Sequence, residues 1–522
     1  MERPFESRGH ILWADDEIDL LKAHTIFLKN KGFEVTTTTN GDDAIALCRE
    51  HVYDVVLLDE MMQGKDGLET LAILKAEYPA LPVIMITKNE EESLMEEAIG
   101  GKISDYLTKP VNPSQILLAV MKILENRQIQ QESISGRYLD AFNALGERIE
   151  KAGKAADWIG IHHQLSEWAL ELDDFPELGF GDMLLQQEAE ANSRFTRYIM
   201  ERYEAWLTRP SDERPPLSPD VMPHFIRPLL EDDRKILFVL IDCMRWDQWL
   251  TLEPLLYQDF QIKRRGYFSL LPTTTEYSRN AIFSGLFPDD MEQHYPEWWG
   301  GRDEHSLNRH EADFLHENFN RMGLQLKPPA KYRKILSNQE GQQFIKQFKS
   351  WNNHSFVALV VNHVDLLAHR RTDSELLQEI LPNETSYRQI VRSWFGNSWI
   401  LEVLKAAGEQ GYTVVVTSDH GSVRVQQPTQ ILADREASVN LRYKQGRNLK
   451  PSTKDAWFLN SPQRLRIPTN IPSDTLALAL KTYYFLYPTN YRKYQNKFAN
   501  TYQHGGLSIW EMIIPLAVLE PK

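Results

Sequence analysis

The chain has 522 residues, a formal net charge of -15, 2 cysteines and 11% aromatic residues. This length gives room for roughly two to four domains. The acidic balance argues against binding of long DNA duplexes, and two cysteines without a disulfide pattern favour a reducing compartment. No apolar run approaches the ~20 residues of a membrane span, and no secretory pattern opens the sequence. We therefore expect a cytoplasmic protein without a membrane span.

Residues 1–125 alternate short apolar strands, at 11–15, 33–38, 55–59, 83–87 and 105–109, with amphipathic segments. The alternation predicts a doubly wound, five-stranded parallel sheet. Asp15 and Asp16 follow the first strand, Asp59 the third, Thr87 the fourth and Lys109 the fifth. Since the carboxyl ends of parallel strands meet at one edge, these side chains are expected to form a site. Three carboxylates and a lysine can bind Mg²⁺ and accept a phosphoryl group on Asp59.

This segment resembles the bacterial response-regulator receiver domain in its DD pair, its LLDEMM and YLTKP motifs and the threonine of MIT. The resemblance implies a flavodoxin-like fold with a cis peptide before Pro110. By the same resemblance Asp59 accepts the phosphoryl group, Lys109 contacts it, and Thr87 and Tyr106 form the switch pair. The resemblance implies Mg²⁺ binding by Asp15, Asp16, Asp59 and the Met61 carbonyl.

From residue 126 to 208 the strand signals disappear, and helical spacing appears at 138–149, 158–172 and 181–207. Phe195, Ile199 and Tyr203, for example, fall on one helical face. We predict a three-helix bundle that transmits the state of the receiver. A helix-turn-helix DNA reader is the alternative, but the third segment opens acidic and offers no basic recognition helix. Six prolines between 209 and 235 then predict a stiff linker.

Residues 236–522 contain three further apolar strands that end in metal-ligand types. They begin at Lys235, just before this range, at Phe356 and at Thr413. The candidate ligands are Asp242 after the first, Asp365 and His369 after the second, Asp419 and His420 after the third, and the late His504. If a helix follows the second strand, the i, i+4 spacing places Asp365 and His369 on one face. Carboxylate and imidazole donors suit zinc, with manganese or magnesium as alternatives.

The segment at 271–288, LPTTTEYSRNAIFSGLFP, supplies a candidate nucleophile in Thr273, Thr274 or Thr275. A threonine hydroxyl is a weak nucleophile until a Lewis acid or a base removes its proton. Two metal ions can do so and can also bind both oxygens of an in-line displacement at phosphorus. The pattern therefore indicates metal-dependent phosphoryl transfer.

In their order, these motifs resemble the alkaline-phosphatase and nucleotide-pyrophosphatase superfamily: Asp, PTxT, GLxP, DxxxH, DH and a late His. The resemblance implies Thr275 as the nucleophile, or Thr274 if the match slips by one residue. It implies two zinc sites, one formed by Asp242, Thr275, Asp419 and His420 and the other by Asp365, His369 and His504. The asparagine that holds the phosphoryl oxygen in the family's diesterases has no match at the expected spacing. Asn280 and Arg279 are the candidates for that donor.

The whole chain resembles response regulators of type 9 secretion that carry a PglZ output domain. The expected domains are a receiver at 1–125, a helical bundle at 126–208, a linker at 209–235 and a PglZ domain at 236–522. The resemblance implies a PorY-like sensor histidine kinase upstream, an extracytoplasmic-function sigma factor as a partner and dimerisation on phosphorylation. It also implies a phosphodiesterase that acts on cyclic or linear oligonucleotides.

Two other output functions stay open. One is a phosphomonoesterase or phosphomutase, and the other is a metal-binding but non-catalytic module that binds a sigma factor or a secretion component. Residues 441–500 hold 11 basic and 2 acidic side chains among many aromatic ones. Such interleaving suits single-stranded nucleic acid, and its alternative is a solvated basic face over an ordinary aromatic core.

Overall fold

A computed structural model describes residues 7–88, 103–208, 214–299, 308–434, 438, 440–452, 454–469 and 471–522. The chain divides into two compact units. The first comprises Met1–Phe142 and Leu172–Gly179, and the second comprises Asn143–Glu171 and Phe180–Lys522. No helix within the described ranges is both long enough and apolar enough to cross a membrane.

The first unit contains a parallel five-stranded sheet. Its strands are β1 (His10–Ala14), β2 (Glu34–Thr38), β3 (Val55–Asp59), β4 (Val83–Thr87) and β5 (Asp105–Thr108), in the order β2-β1-β3-β4-β5. Every residue of β3 and β4 is buried, as expected for strands covered on both faces. The helices are Lys22–Asn30, Gly41–Glu50, Gly67–Glu77 and the first part of Pro113–Lys151, with 3-10 turns at Ile18–Leu21 and Pro176–Leu178. The predicted doubly wound sheet is confirmed.

Three long helices follow the sheet, as predicted from the spacing of apolar residues. They span Pro113–Lys151, Ala155–Asp173 and Gly181–Thr208. The first begins well before the predicted 138–149 segment because, after Pro113, no proline interrupts it. Along the third helix Phe195, Ile199 and Tyr203 are fully buried on one face.

The segment predicted as a linker contains helical turns with buried side chains. A 3-10 turn (Ser218–Asp220), a π-helical turn (Val221–Ile226) and a short helix (Arg227–Glu231) follow one another. Its apolar side chains at Leu217, Val221, Met222 and Ile226 are fully buried. Residues 209–213 of the predicted linker, including Pro210, lie outside the described residues.

A six-stranded mixed sheet forms the centre of the second unit. In chain order its strands and those of three smaller sheets are β6 (Lys235–Ile241), β7 (Phe260–Phe268), β8 (Lys331–Ile335), β9 (Phe356–Val361), β10 (Tyr412–Thr417), β11 (Val423–Arg424), β12 (Gln427–Leu432), β13 (Tyr443–Gly446), β14 (Lys450–Pro451), β15 (Ala456–Leu459), β16 (Thr475–Ala479), β17 (Tyr483–Leu486), β18 (Tyr502–Gln503) and β19 (Ile513–Pro521). The large sheet has the order β7-β19-β10-β6-β9-β8. Strands β8, β9, β6 and β10 run parallel, whereas β19 runs antiparallel to both β10 and β7.

The helices of the second unit alternate with these strands. Besides the long helices already given, they are Trp246–Leu252, Thr275–Ser284, Pro288–His294, Pro296–Trp299, Glu311–Arg321, Asn338–Lys349, His363–Asp373, Glu375–Ile380, Glu384–Gly396, Trp399–Glu409, Tyr491–Phe498 and Ile509–Met512, with 3-10 turns at Glu253–Leu256 and Pro462–Leu465. All residues of β9 and β10 are buried, so the apolar runs read from the sequence are central strands. The turns after β6, β9 and β10 therefore lie along one edge of the sheet.

Candidate functional site

The turns after β6 and β10 bring together the first group of predicted ligands. Asp242 follows β6, Asp419 and His420 follow β10, and the two strands pair in parallel with Thr417 opposite Leu240. One donor atom from each of the three residues lies within 4.8 Å of the others, and all three side chains are buried. Gly421 completes the turn in tight contact, since a Cβ atom there would lie 2.0 Å from the Trp510 carbonyl oxygen.

The two carboxylates of this group lie in surroundings that resist ionisation. Burial, together with the negative charge of Asp419, raises the pKa of Asp242 to about 8. Burial also raises the pKa of Asp419, against the opposing charge of Arg279. Asp419 Oδ1 accepts from the backbone N–H groups of Cys243 (3.3 Å) and His420 (3.1 Å), whereas its buried Oδ2 has no hydrogen-bond partner among the described residues. A buried carboxylate oxygen with no donor is suited to a cation.

His420 and Thr275 complete the first group. The Nδ1 atom of His420 lies 3.1 Å from the Gly421 carbonyl, which fixes the proton on Nδ1 and leaves the Nε2 lone pair free. Nε2 lies 3.0 Å from Thr275 Oγ1 and 3.7 Å from Asp242 Oδ1. Thr275 is the first residue of helix Thr275–Ser284, and its Oγ1 lies 3.5 Å from Asp242 Oδ1. Four oxygen and nitrogen donors thus converge at the start of this helix.

The three successive threonines occupy different positions. Thr273 Oγ1 donates to the Gly506 carbonyl at 2.9 Å and accepts from Gly505 N–H at 3.1 Å. Thr274 Oγ1 is buried and has no hydrogen-bond partner in the part of the chain that the structure describes. Thr275 is the one whose hydroxyl reaches the carboxylate and imidazole donors. Of the three threonines, Thr275 therefore has its hydroxyl next to the candidate ligands.

Asp365, His369 and His504 form a second group of donors. Helix His363–Asp373 follows β9, and the i, i+4 pair has its His369 Nε2 and Asp365 Oδ1 atoms 3.3 Å apart. His504 Nε2 lies 3.6 Å from the same oxygen. Burial alone would raise the pKa of Asp365, but the hydrogen bond from His369 and the neighbouring imidazoles hold it below its usual range. Burial and the His420 ring keep the pKa of His504 well below its usual range.

The two groups adjoin each other. The rings of His420 and His504 stack with centroids 4.3 Å apart. The donors are carboxylate, imidazole and hydroxyl, with no thiolate among them, a set that fits zinc or a similar divalent ion. Two adjacent groups of this kind match the arrangement of two-metal phosphoryl-transfer sites.

A buried network next to the first group escaped the sequence analysis. Arg279 Nη1 lies 2.8 Å from Asp242 Oδ2, and its Nε lies 2.7 Å from Glu311 Oε1. Tyr332 and Lys334 also contact Glu311. Arg279 therefore holds the carboxylate of Asp242, a candidate ligand, in place. No motif marks Glu311, and only the fold brings it to the site.

Two amides lie beside the same helix start. The Nδ2 atom of Asn308 donates to the Thr275 carbonyl at 3.3 Å and to Glu311 Oε1 at 2.7 Å. Both N–H bonds of this amide are thus engaged in holding the turn. Asn280, the other oxyanion candidate, donates its Nδ2–H to the Glu276 carbonyl at 2.9 Å.

A third cluster of carboxylates lies at the strand ends of the first unit. Asp15, Asp16 and Asp59 each offer one oxygen within 4.8 Å of the others. Lys109 Nζ lies 2.9 Å from Asp59 Oδ1 and 3.2 Å from Asp15 Oδ2. Burial raises the pKa of Asp59, although Lys109 opposes the shift. Gly67 is required beside it, because a Cβ atom there would lie 2.2 Å from the Asp59 carbonyl oxygen.

The predicted switch residues lie on the neighbouring strands β4 and β5. Thr87 is buried and its hydroxyl donates to Glu60. Tyr106 is partly buried and packs against one core of the sheet. Met61 is 68% exposed and follows Asp59 by two residues, so its side chain takes no part in the core. The peptide between Lys109 and Pro110 is cis, as the receiver resemblance implied.

The basic segment 441–500 divides into buried and exposed parts. Arg442 is fully buried and pairs with Glu511 at 2.6 Å, and Arg464 pairs with Glu204 at 2.7 Å. Tyr443, Trp457 and Tyr484 are buried, so they belong to the core. The exposed basic side chains include Arg492, Lys493 and Lys497 of helix Tyr491–Phe498, where Tyr494 and Phe498 stack at 6.0 Å.

Models of three known families match successive parts of the chain. A model of the BREX system PglZ alkaline phosphatase-like domain matches residues 221–519, which is more than half of the chain. The chain belongs to the PglZ alkaline phosphatase-like family. The response regulator receiver domain matches residues 11–121, and the PorX response regulator linker domain matches residues 128–207. The three domains in this order match a PorX-like architecture, as predicted.

Curated relatives match about a quarter of the chain. The alginate biosynthesis transcriptional regulatory protein AlgB of Pseudomonas syringae pv. tomato is 33% identical over 129 residues, which is 25% of this chain and 29% of AlgB. The transcriptional regulatory protein ResD of Bacillus subtilis is 35% identical over 114 residues, or 22% of this chain and 47% of ResD. The chain thus spans less than half the length of these curated relatives.

Solved receiver domains also match. The receiver domain of NtrX from Brucella abortus is 32% identical and covers 22% of this chain and 98% of its own, with a TM-score of 0.21. The Francisella response regulator 1452 receiver domain is 26% identical, covers 23% and 99%, and has a TM-score of 0.22.

The family assignments establish the general class of the protein. It is a two-component response regulator with a receiver domain and a PglZ output domain related to phosphoesterases. A receiver domain implies a partner sensor kinase, and both families generally bind metal ions.

Proposed function

We propose that the output domain is a zinc-dependent phosphodiesterase gated by phosphorylation of the receiver. The observation that carries this proposal is the position of the Thr275 hydroxyl, 3.0 Å from His420 Nε2 and 3.5 Å from Asp242 Oδ1. A threonine at the start of a helix, beside two adjacent donor groups, has the arrangement that in-line phosphoryl transfer requires.

The donor atoms divide between two metal positions. The first would be held by Asp242, Thr275, Asp419 and His420, and the second by Asp365, His369 and His504. Bound zinc would supply a Lewis acid that lowers the pKa of the threonine hydroxyl and neutralises charge on the phosphoryl oxygens. Arg279 keeps Asp242 in place through its 2.8 Å contact with Oδ2, so that Oδ1 faces Thr275.

Thr275 performs the covalent step. Its Oγ1 loses its proton to water and forms a bond to phosphorus as the bond from phosphorus to the leaving oxygen breaks, and the leaving oxygen takes a proton back from water. Water then attacks the phosphothreonyl group, releases the phosphate product and restores the hydroxyl. The N-terminal N–H groups of helix Thr275–Ser284 favour the negative charge that develops on the phosphoryl oxygens.

The substrate class that we propose is a cyclic or linear oligonucleotide. It is supported by helix Tyr491–Phe498, which carries exposed Arg492, Lys493 and Lys497 beside the stacked Tyr494 and Phe498. Cations suit phosphates and aromatic rings suit bases. The helix ends six residues before His504, on the same stretch of chain.

The receiver would control this activity. Asp59 would accept the phosphoryl group from a PorY-like sensor histidine kinase, with Lys109 in contact and Thr87 and Tyr106 as the switch pair. Mg²⁺ would be bound by Asp15, Asp16, Asp59 and the Met61 carbonyl. Dimerisation on phosphorylation, contact with an extracytoplasmic-function sigma factor and control of type 9 secretion complete the proposal.

Hydrolysis of two model esters tests the output function. Wild type, Thr275→Ala and Thr274→Ala proteins are compared on bis-p-nitrophenyl phosphate and p-nitrophenyl phosphate, with metal content measured for each. We expect zinc-dependent diester cleavage that Thr275→Ala abolishes. Thr274→Ala should retain it, because the Thr274 side chain makes no cap hydrogen bond. Preference for the monoester would favour a phosphomonoesterase, and two bound metals without turnover would favour a binding module.

A further inference from the structure

One face of helix Gly181–Thr208 reaches two loops of the candidate zinc site. The Tyr203 hydroxyl oxygen accepts from Leu271 N–H at 2.9 Å, and Asn192 Oδ1 accepts from Ile509 N–H at 3.0 Å. Tyr203 is 0% and Asn192 1% exposed. They are 11 residues apart, about three helical turns, so both side chains point to the same side of the helix.

Both hydrogen bonds end close to proposed zinc ligands. Leu271 is four residues before Thr275, and Ile509 is five residues after His504. The hydroxyl of Thr273 joins the two loops to each other, as it contacts Gly505 N–H and the Gly506 carbonyl. The helix and Thr273 thus connect the loop that precedes Thr275 with the loop that follows His504.

Burial and aromatic packing around these hydrogen bonds make the positions of the two loops depend on the helix. The Leu271 and Ile509 N–H groups are bonded in buried surroundings, where an unpaired donor is costly. Phe268, at the end of β7, stacks on Phe195 at 6.1 Å and meets Trp206 edge-on at 5.7 Å. Apolar contacts between the same helix and the end of β7 therefore accompany the two hydrogen bonds.

We propose that helix Gly181–Thr208, which lies in the region matched by the linker-domain family, is a positioning element of the phosphoesterase site. Tyr203 and Asn192 are positioning residues that set the places of Thr275 and His504. This inference rests on the proposed function for the roles of those two ligands. A linker that supplies buried hydrogen bonds to the output site can alter its geometry when the helix shifts.

The test uses the full chain with Tyr203→Phe and Asn192→Ala, which remove one acceptor each. Tyr198→Phe is the matched control, since it removes a hydroxyl from the same helix where the ring packs on Trp158 and Trp206. Hydrogen exchange of peptides covering 270–275 and 504–509 is measured on the metal-free protein. The visible absorption of the Co²⁺-loaded protein and turnover of bis-p-nitrophenyl phosphate are measured alongside.

We expect Tyr203→Phe to speed exchange at 270–275 about tenfold, and Asn192→Ala to do so at 504–509. Both variants should change the Co²⁺ spectrum and lower kcat about tenfold with KM within about twofold, whereas Tyr198→Phe should match wild type. Wild-type exchange, spectrum and kcat in both variants would overturn the inference, as would equal changes in the control. If wild type hydrolyses neither ester, the proposed function fails, while exchange and the Co²⁺ spectrum still decide the role of the helix.

Discussion

Replacing Arg279 with methionine should destabilise the protein in a way that zinc partly reverses. The guanidinium is 2% exposed and contacts two buried carboxylates, Asp242 at 2.8 Å and Glu311 at 2.7 Å. Removing one partner of a buried ion pair costs about 3–5 kcal/mol, because the remaining charge is left uncompensated. For a unit of this size that corresponds to a fall in Tm of about 4–6 °C.

Zinc should reduce this loss of stability only in part, because it can compensate Asp242 but not Glu311. A cation between Asp242 and Asp419 compensates those carboxylates, whereas Glu311 keeps only Lys334, Tyr332 and Asn308 as partners. About half of the loss should therefore disappear at saturating zinc, so that the difference in Tm falls to about 2–3 °C.

The assay is calorimetry of wild type and Arg279→Met with excess chelator and with excess zinc. The matched control is Arg264→Met, which removes a guanidinium 2.7 Å from the buried Glu253. Its effect on Tm should be the same with and without zinc. An equal Tm deficit of Arg279→Met in both conditions, or a zinc-dependent deficit in the control, would refute the reasoning.

Four further predictions concern the proposed sites. Burial and Asp419 raise the pKa of metal-free Asp242 to about 8, so zinc must displace a proton when it binds. Apparent zinc affinity should therefore rise about tenfold per pH unit up to pH ~8 and then level off. Calorimetric titration with zinc at several pH values checks this. The metal-free protein should also lose stability as pH rises from about 4 towards 8, since the ionised carboxylate is disfavoured in the fold. Asp59→Ala should abolish any increase in dimerisation and turnover that acetyl phosphate produces. Light scattering with and without acetyl phosphate measures the mass in solution. Arg492→Glu with Lys493→Glu should raise KM for a short oligonucleotide about tenfold and leave bis-p-nitrophenyl phosphate hydrolysis unchanged; equal effects on both substrates would count against an oligonucleotide surface.

The sheets and the ligand positions could be predicted because both depend on local patterns. Asp242, Asp419 and His420 each follow a run of apolar residues that could only be a buried strand, and parallel strands place their ends together. Asp365 and His369 required only that a helix follow β9, which it does. These expectations needed no knowledge of distant contacts.

The supporting residues could not be predicted because distant segments bring them to the site. Glu311 meets Arg279 across 32 residues, and Tyr203 meets Leu271 across 68, with no motif at Glu311 or Tyr203. The choice among three successive threonines likewise depends on the start of a helix that sequence places only to within a residue or two. Because basic residues recur along 441–500, the sequence did not distinguish Arg442, a core residue paired with Glu511, from the exposed ones.

The two donor groups differ in their access to water. Asp242 and Asp419 are 1% and 0% exposed, whereas His369 of the second group is 55% exposed. A zinc ion in the second group could leave by rotation of one outer imidazole, but one in the first group could leave only if buried turns opened. Loading would then be ordered, with the inner ion retained through purification and the outer one in exchange with its surroundings. Such a protein would respond to zinc supply as well as to its kinase, because only the outer position would follow the free concentration of the ion.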